Sequence, residues 1–136
     1  MPELAYLFVY GTLRSGSGTE WSRSLAAASR FAGEGRSRGM LFRLGGYPGM
    51  TVCADHDSWV KGEVLLLNDP LAFLRMLDAY EGCGGGDPLP HEFERLVVTV
   101  VMDGGQTVEA WAYIYAFDST GKARITSGDY LSGMAE

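Results

Sequence analysis

Residues 93–117 read FERLVVTVVMDGGQTVEAWAYIYAF. The first ten alternate between polar and apolar and then become continuously apolar, and the segment 108–117 is rich in β-branched and aromatic side chains. Asp103-Gly104-Gly105 between them has the composition of a tight hairpin turn. Two such runs joined so closely predict an antiparallel pair of long strands. Working back toward the N-terminus, residues 59–67 form another strong strand pattern, interrupted by Gly62. Asp69-Pro70 opens a helix: Asp is a favoured N-cap, and Pro at the first helical position loses no hydrogen bond. Leu71, Leu74, Leu77 and Tyr80 recur at helical spacing, with Phe73 and Met76 widening the apolar face. Gly82 falls where a C-terminal cap belongs, and a glycine-rich loop follows over 82–87.

Further back the elements are shorter. Residues 4–10 are nearly all apolar and read as a buried strand ended by Gly11. A Ser/Gly loop over 14–18 leads to Thr19, which could cap a short helix over 20–29. Residues 31–43 read as strand with a turn near Gly39, Tyr47-Pro48-Gly49 as a turn, and 50–54 as a short strand. Strands and helices do not alternate, which argues against a doubly wound parallel sheet. The expected fold is α+β: a small mixed, partly closed β-barrel of six or seven strands with two flanking helices, in one domain over 1–136.

Composition narrows the function. The chain has 136 residues, of which 46% are hydrophobic, enough for one core. Its net charge of −6 disfavours nucleic acid and anionic membrane surfaces as partners. Arg36, Arg38 and Arg43 make a local basic cluster, which we read first as solvated strand edges. Two cysteines, Cys53 and Cys83, are too few for a disulfide framework or a CxxC zinc site. The apolar run 4–10 is too short for a signal peptide or a membrane span, so the expected location is cytoplasmic.

The common chemical motifs fail. Gly11 and Gly16 have P-loop spacing, but Ser17-Gly18 follows where Lys-Ser/Thr is needed. GxSxG and HExxH are absent. Asp55-His56-Asp57 would point to alternate faces of a strand or sit solvated in a turn, so it is a poor metal set. Cys83 follows a helix C-terminus, where the field opposes a thiolate; it reads as an ordinary small residue, with a nucleophile as the alternative.

Two features remain. Tyr10-Gly11-Thr12-Leu13 ends a buried strand at glycine, where consecutive backbone N–H groups could cradle a carboxylate or oxyanion; the other reading is a plain tight turn. Glu81 falls at the negative end of the 70–80 helix, three residues after Asp78. Both neighbours should raise its proton affinity, as a general base requires; the other reading is a frayed, exposed helix end.

The ordered set of short motifs resembles the γ-glutamylcyclotransferase-like family, including the γ-glutamylamine cyclotransferases and AIG2-like proteins. Leu7-Phe8-Val9-Tyr10-Gly11-Thr12-Leu13-Arg14 is similar to its N-terminal signature, and Tyr47-Pro48-Gly49 and Gly62-Glu63-Val64 to its YPG turn and GEV strand. Leu77-Asp78 with Glu81-Gly82 resembles LDxxEG, and Phe93-Glu94-Arg95 stands where Tyr-x-Arg is usual. Ala110-Trp111-Ala112-Tyr113-Ile114-Tyr115 and Ser127-Gly128-Asp129-Tyr130-Leu131 complete the match. The resemblance implies a small barrel and an intramolecular reaction without cofactor or metal. A γ-glutamyl group closes to 5-oxoproline and releases an amine. It implies Glu81 as the catalytic base and Tyr10, Gly11, Thr12 and Leu13 as the substrate cradle. Tyr115 could add a hydroxyl, or be a core aromatic. Loops 14–19 and 82–90 would set the leaving group, and Arg95 could pair with Glu81. The implied partner is a small γ-glutamyl substrate; oligomeric state is open. The rival functions are a non-catalytic small-molecule binding module on the same fold, and a protein-interaction domain with an inert pocket.

Overall fold

The structure is a computed structural model that describes residues 5–10, 27–43, 48–52, 58–80, 91–117 and 122–125. The described elements are strands β1 (Tyr6–Val9), β2 (Ser29–Arg43), β3 (Pro48–Val52) and β4 (Trp59–Leu67), helix α1 (Pro70–Tyr80), and strands β5 (Phe93–Met102), β6 (Thr107–Tyr115) and β7 (Ala123–Arg124). The helix expected over 20–29 falls for the most part outside the described residues, and Ser29 itself already opens β2.

The seven strands form one sheet, and five of them close on themselves. β1 pairs antiparallel with β4, β4 with β2, and β2 with β3. The ring is completed by two parallel pairings of β6, with β3 at Met50–Ile114 and with β1 at Leu7–Trp111. β5 lies outside the ring, antiparallel along β6 and touching β2 at Gly35 and Arg36. β7 pairs with Phe42 and Arg43 at the end of β2. The expected mixed barrel is therefore present, closed rather than partly open.

The continuous apolar run of β1 follows from this closure, because its two faces are buried differently. Phe8 and Tyr10 enter the barrel interior with Leu41, Met50, Val60, Val64 and Ile114. Leu7 and Val9 face outward into a second core with Leu65, Leu67, Phe93, Tyr113 and Tyr115, roofed by Phe73, Leu74 and Leu77 of α1. Side chains alternate across a strand, so a strand buried on both faces must be apolar throughout. α1 starts as its sequence requires. The Asp69 carboxylate accepts from Ala72 N–H at 3.5 Å, and its carbonyl accepts from Phe73 N–H at 3.0 Å. Among the described residues no helix is long and apolar enough to cross a membrane.

Three sequence expectations are corrected. β2 runs through Gly39 without a turn, and β4 runs through Gly62 without interruption. Both glycines answer to close packing: a Cβ at Gly39 would strike the Thr51 carbonyl of β3, and one at Gly62 the Val9 carbonyl and the Phe8 ring of β1. In a small barrel, tightly curved neighbours approach the backbone where a side chain would otherwise stand. Likewise Pro48 and Gly49 of the expected turn belong to β3, paired with Arg43 and Phe42.

Candidate active site

The outer wall of the barrel carries a row of side chains beneath the last turn of α1. Glu63 of β4 stands opposite Val9 of β1. The parallel register that sets Leu7 beside Trp111 carries Val9 level with Tyr113, and Tyr113 stands opposite Arg95 of β5. Above the row, Asp78 of α1 receives two bonds from Arg95, Nε to Oδ1 at 2.7 Å and Nη2 to Oδ2 at 3.0 Å. The Tyr113 hydroxyl donates to the same Oδ1 at 2.7 Å. Arg95 also lies over the Trp111 ring, 4.3 Å from its centroid. A forked guanidinium on a carboxylate, stacked on an indole, is held in both distance and plane. Asp78 and Arg95 are only partly exposed, at 18% and 25% of their side-chain surface, so water screens the pair less than at an open surface.

Tyr10 reaches Tyr113 from the other side of the wall. Its hydroxyl, buried in the barrel, donates to the Tyr113 carbonyl and accepts from Met50 N–H at 3.2 Å. Tyr113 therefore joins two ends: through its carbonyl the end of β1, through its hydroxyl the end of α1. Tyr115 is two positions on, on the same outward face; it is buried edge-on against Phe93, with ring centroids 5.6 Å apart, in the core that holds Leu77.

Of the expected site residues, Tyr10 and Tyr115 are described, and they lie on opposite faces of the wall. Gly11, Thr12, Leu13 and Glu81 lie outside the described residues, as do Cys53, Cys83, Asp55-His56-Asp57 and the loop 82–90. Two residues were not singled out from sequence: Tyr113, which was quoted only within its strand, and Glu63, a carboxylate buried at 5% exposure in the row beside Val9. Asp78 also changes role. The sequence offers it as a charge repelling Glu81, whereas its carboxylate is matched by Arg95.

Fold and site together define a small closed mixed barrel with helix α1 clamped to its outer wall and a candidate site beside the last turn of that helix. The chain belongs to the gamma-glutamyl cyclotransferase, AIG2-like family, whose model matches residues 7–132. A protein of Methanocaldococcus jannaschii whose name proposes it as a gamma-glutamylcyclotransferase is 30% identical over 128 residues, covering 93% of this chain and 96% of its own. The solution structure of YtfP from Escherichia coli superposes with a TM-score of 0.62 at 29% identity, covering 95% of this chain and 98% of that one. The crystal structure of a mouse AIG2-like protein shares the fold, with a TM-score of 0.64 at 22% identity over 95% and 96% of the two chains.

Proposed function

We propose that the protein converts a γ-glutamyl amine or peptide into 5-oxoproline and the free amine. The α-amine of the glutamyl group attacks its own γ-carbonyl carbon. A C–N bond forms, the proton lost by the attacking nitrogen is taken up by the Glu81 carboxylate, and the same proton is returned to the leaving nitrogen as the original C–N bond breaks. No water or redox partner enters the balance. The backbone N–H groups of Gly11, Thr12 and Leu13 are assigned to the substrate carboxylate and the developing oxyanion. Tyr10 acts by fixing the start of that cradle, since its hydroxyl is engaged by Tyr113 and Met50. Tyr115 is assigned to the wall beside the reacting group.

The observation that carries this reading is the double attachment of Tyr113. Gly11 follows Tyr10 in sequence, and Glu81 lies three residues after Asp78. Tyr10 and Asp78 are both bonded to Tyr113, so the chain enters both candidate segments from one anchored point. An intramolecular cyclisation needs a base and an oxyanion cradle held against a single small group. The family supports the same reaction class.

The experiment is incubation of the purified protein with a panel of γ-glutamyl amines and dipeptides, followed by mass spectrometry for 5-oxoproline. Product from wild type and none from Glu81→Gln is the expected result. Product from both variants removes Glu81 from the chemistry, and no product across a wide panel moves the reading to a binding module.

A further inference from the structure

A cavity of about 450 Å³ runs along α1 from Pro70 to Asp78, about 12 Å of helix axis, beside the outward face of β5 and β6. Its helix side is the flank made by Leu71, Leu74, Arg75 and Asp78, which share one stripe at i, i+3, i+4 and i+7. Its sheet side is Trp111 with Arg95 stacked on the ring. The cyclisation gives no role to Leu71 or Arg75. Leu71 is 62% exposed, and Val97, directly opposite Trp111 in the β5–β6 pair, is 46% exposed on the same face as the indole. Arg75 is exposed and forms no ion pair or hydrogen bond among the described residues. Its neighbours one turn away on the helix are Leu71, Ala72, Asp78 and Ala79. Asp78, the one carboxylate among them, already takes two bonds from Arg95 and one from Tyr113.

A solvated helix flank would carry a polar side chain where Leu71 stands. The cavity has instead the volume and make-up of a small-molecule site, with apolar walls and a few fixed polar groups. Asp78 and Arg95 cancel each other's charge, so among the described residues Arg75 sets the sign of the lining, positive by one charge. An amine would meet two guanidiniums there. A dianion would find one uncancelled cation and apolar walls, and a neutral molecule would leave the guanidinium without a partner. A carboxylate on an apolar body meets every condition: its two oxygens match the guanidinium fork, and its hydrocarbon covers Leu71, Leu74 and Trp111. The stacking of Arg95 holds the indole in place before any ligand arrives, which lowers the cost of ordering that wall on binding. We propose that this cavity binds a small carboxylate with an apolar body, held by Arg75 and laid between Leu71, Leu74 and Trp111.

The test is calorimetric titration of the purified protein with hexanoate and octanoate at constant ionic strength. The expected result is a saturable heat at one site, with octanoate tighter by up to about fourfold per added methylene. Octanamide and octylamine should bind at least about tenfold more weakly than octanoate, and Arg75→Ala should lose at least about tenfold in octanoate affinity. Leu71→Ser should weaken octanoate as well. Both side chains are exposed, so the variants should melt as wild type does without ligand, and octanoate should raise the melting temperature of wild type more than that of Arg75→Ala. No saturable heat from either acid, equal binding of octanamide, no dependence on chain length, or undiminished binding by Arg75→Ala would each overturn the proposal. γ-Glutamyl-leucine, which also joins a carboxylate to an apolar body, separates two sources of the ligand. Competition with octanoate, together with a raised KM and little change in kcat in Arg75→Ala, supports the site and assigns it to the leaving portion of the substrate. Octanoate binding that leaves turnover of γ-glutamyl-leucine untouched supports the site for a separate ligand. Only that last comparison rests on the cyclotransferase reading; the heats and melting shifts do not, so failure of one proposal leaves the other standing.

Discussion

Tyr113 and Tyr10 do different work with the same functional group, and substitution separates them. Tyr113→Phe removes one hydrogen bond to Asp78 and leaves the carbonyl contact with Tyr10 in place. Its stability cost should be about 0.5–1.5 kcal/mol, read from urea unfolding, with turnover falling more than that loss explains. Tyr10→Phe leaves the Met50 N–H and the Tyr113 carbonyl without their buried partner and should cost more, about 1–3 kcal/mol. Asp78→Asn leaves Arg95 stacked on Trp111 without its counter-charge. We expect a loss of about 1–3 kcal/mol and a lower kcat with KM little changed, because the residue positions the helix end rather than touching substrate. In the cyclotransferase assay, the acid limb of the wild-type pH–rate profile should report Glu81, since a base works only when deprotonated; any residual activity of Glu81→Gln should lack that limb. If the limb persists in the variant, another group is the base.

At the scale of elements, α1 and the β5–β6 hairpin were fully readable in the sequence, because everything that defines them is local. Asp69, Pro70 and the Leu71–Leu74–Leu77 spacing lie within one segment, and the hairpin turn closes with Gly105 N–H donating to the Met102 carbonyl at 2.8 Å. Gly39 and Gly62 were misread because the cause of each is a strand elsewhere in the chain. Tyr113 and Tyr115 share a face and a composition, so no periodicity could favour one over the other; only Asp78, thirty-five positions away, makes the distinction. Arg95 is likewise seventeen positions from Asp78, and nothing in the local sequence says that it cancels that charge. The helix roof can be tested directly. Leu77 is fully buried between α1 and the sheet, so Leu77→Ala should cost about 2–5 kcal/mol in thermal or urea unfolding. Gly62→Ala should cost about 1–3 kcal/mol despite its small size, because the new methyl meets the β1 backbone, which cannot step aside as a side-chain tip would.

Over the whole molecule, the ring is closed by contacts that span nearly the full chain. β1 finds its first partner in β4, but its other edge stays open until β6 arrives, when Leu7 meets Trp111 and Tyr10 meets Tyr113 across 103 positions. Refolding in vitro should accordingly be slow for a chain of this size, as in other domains dominated by non-local pairings, and stopped-flow fluorescence would measure it. The same closure bears on birth at the ribosome. At about 5–20 residues per second, β6 is synthesised several seconds after β1. Throughout that interval the nascent chain holds an apolar strand with one bare edge and a site whose two halves have not yet met. Chaperone occupancy on ribosome-bound chains should therefore persist until β6 has emerged and then fall, so that the polypeptide becomes self-sufficient and acquires its candidate site in the same event.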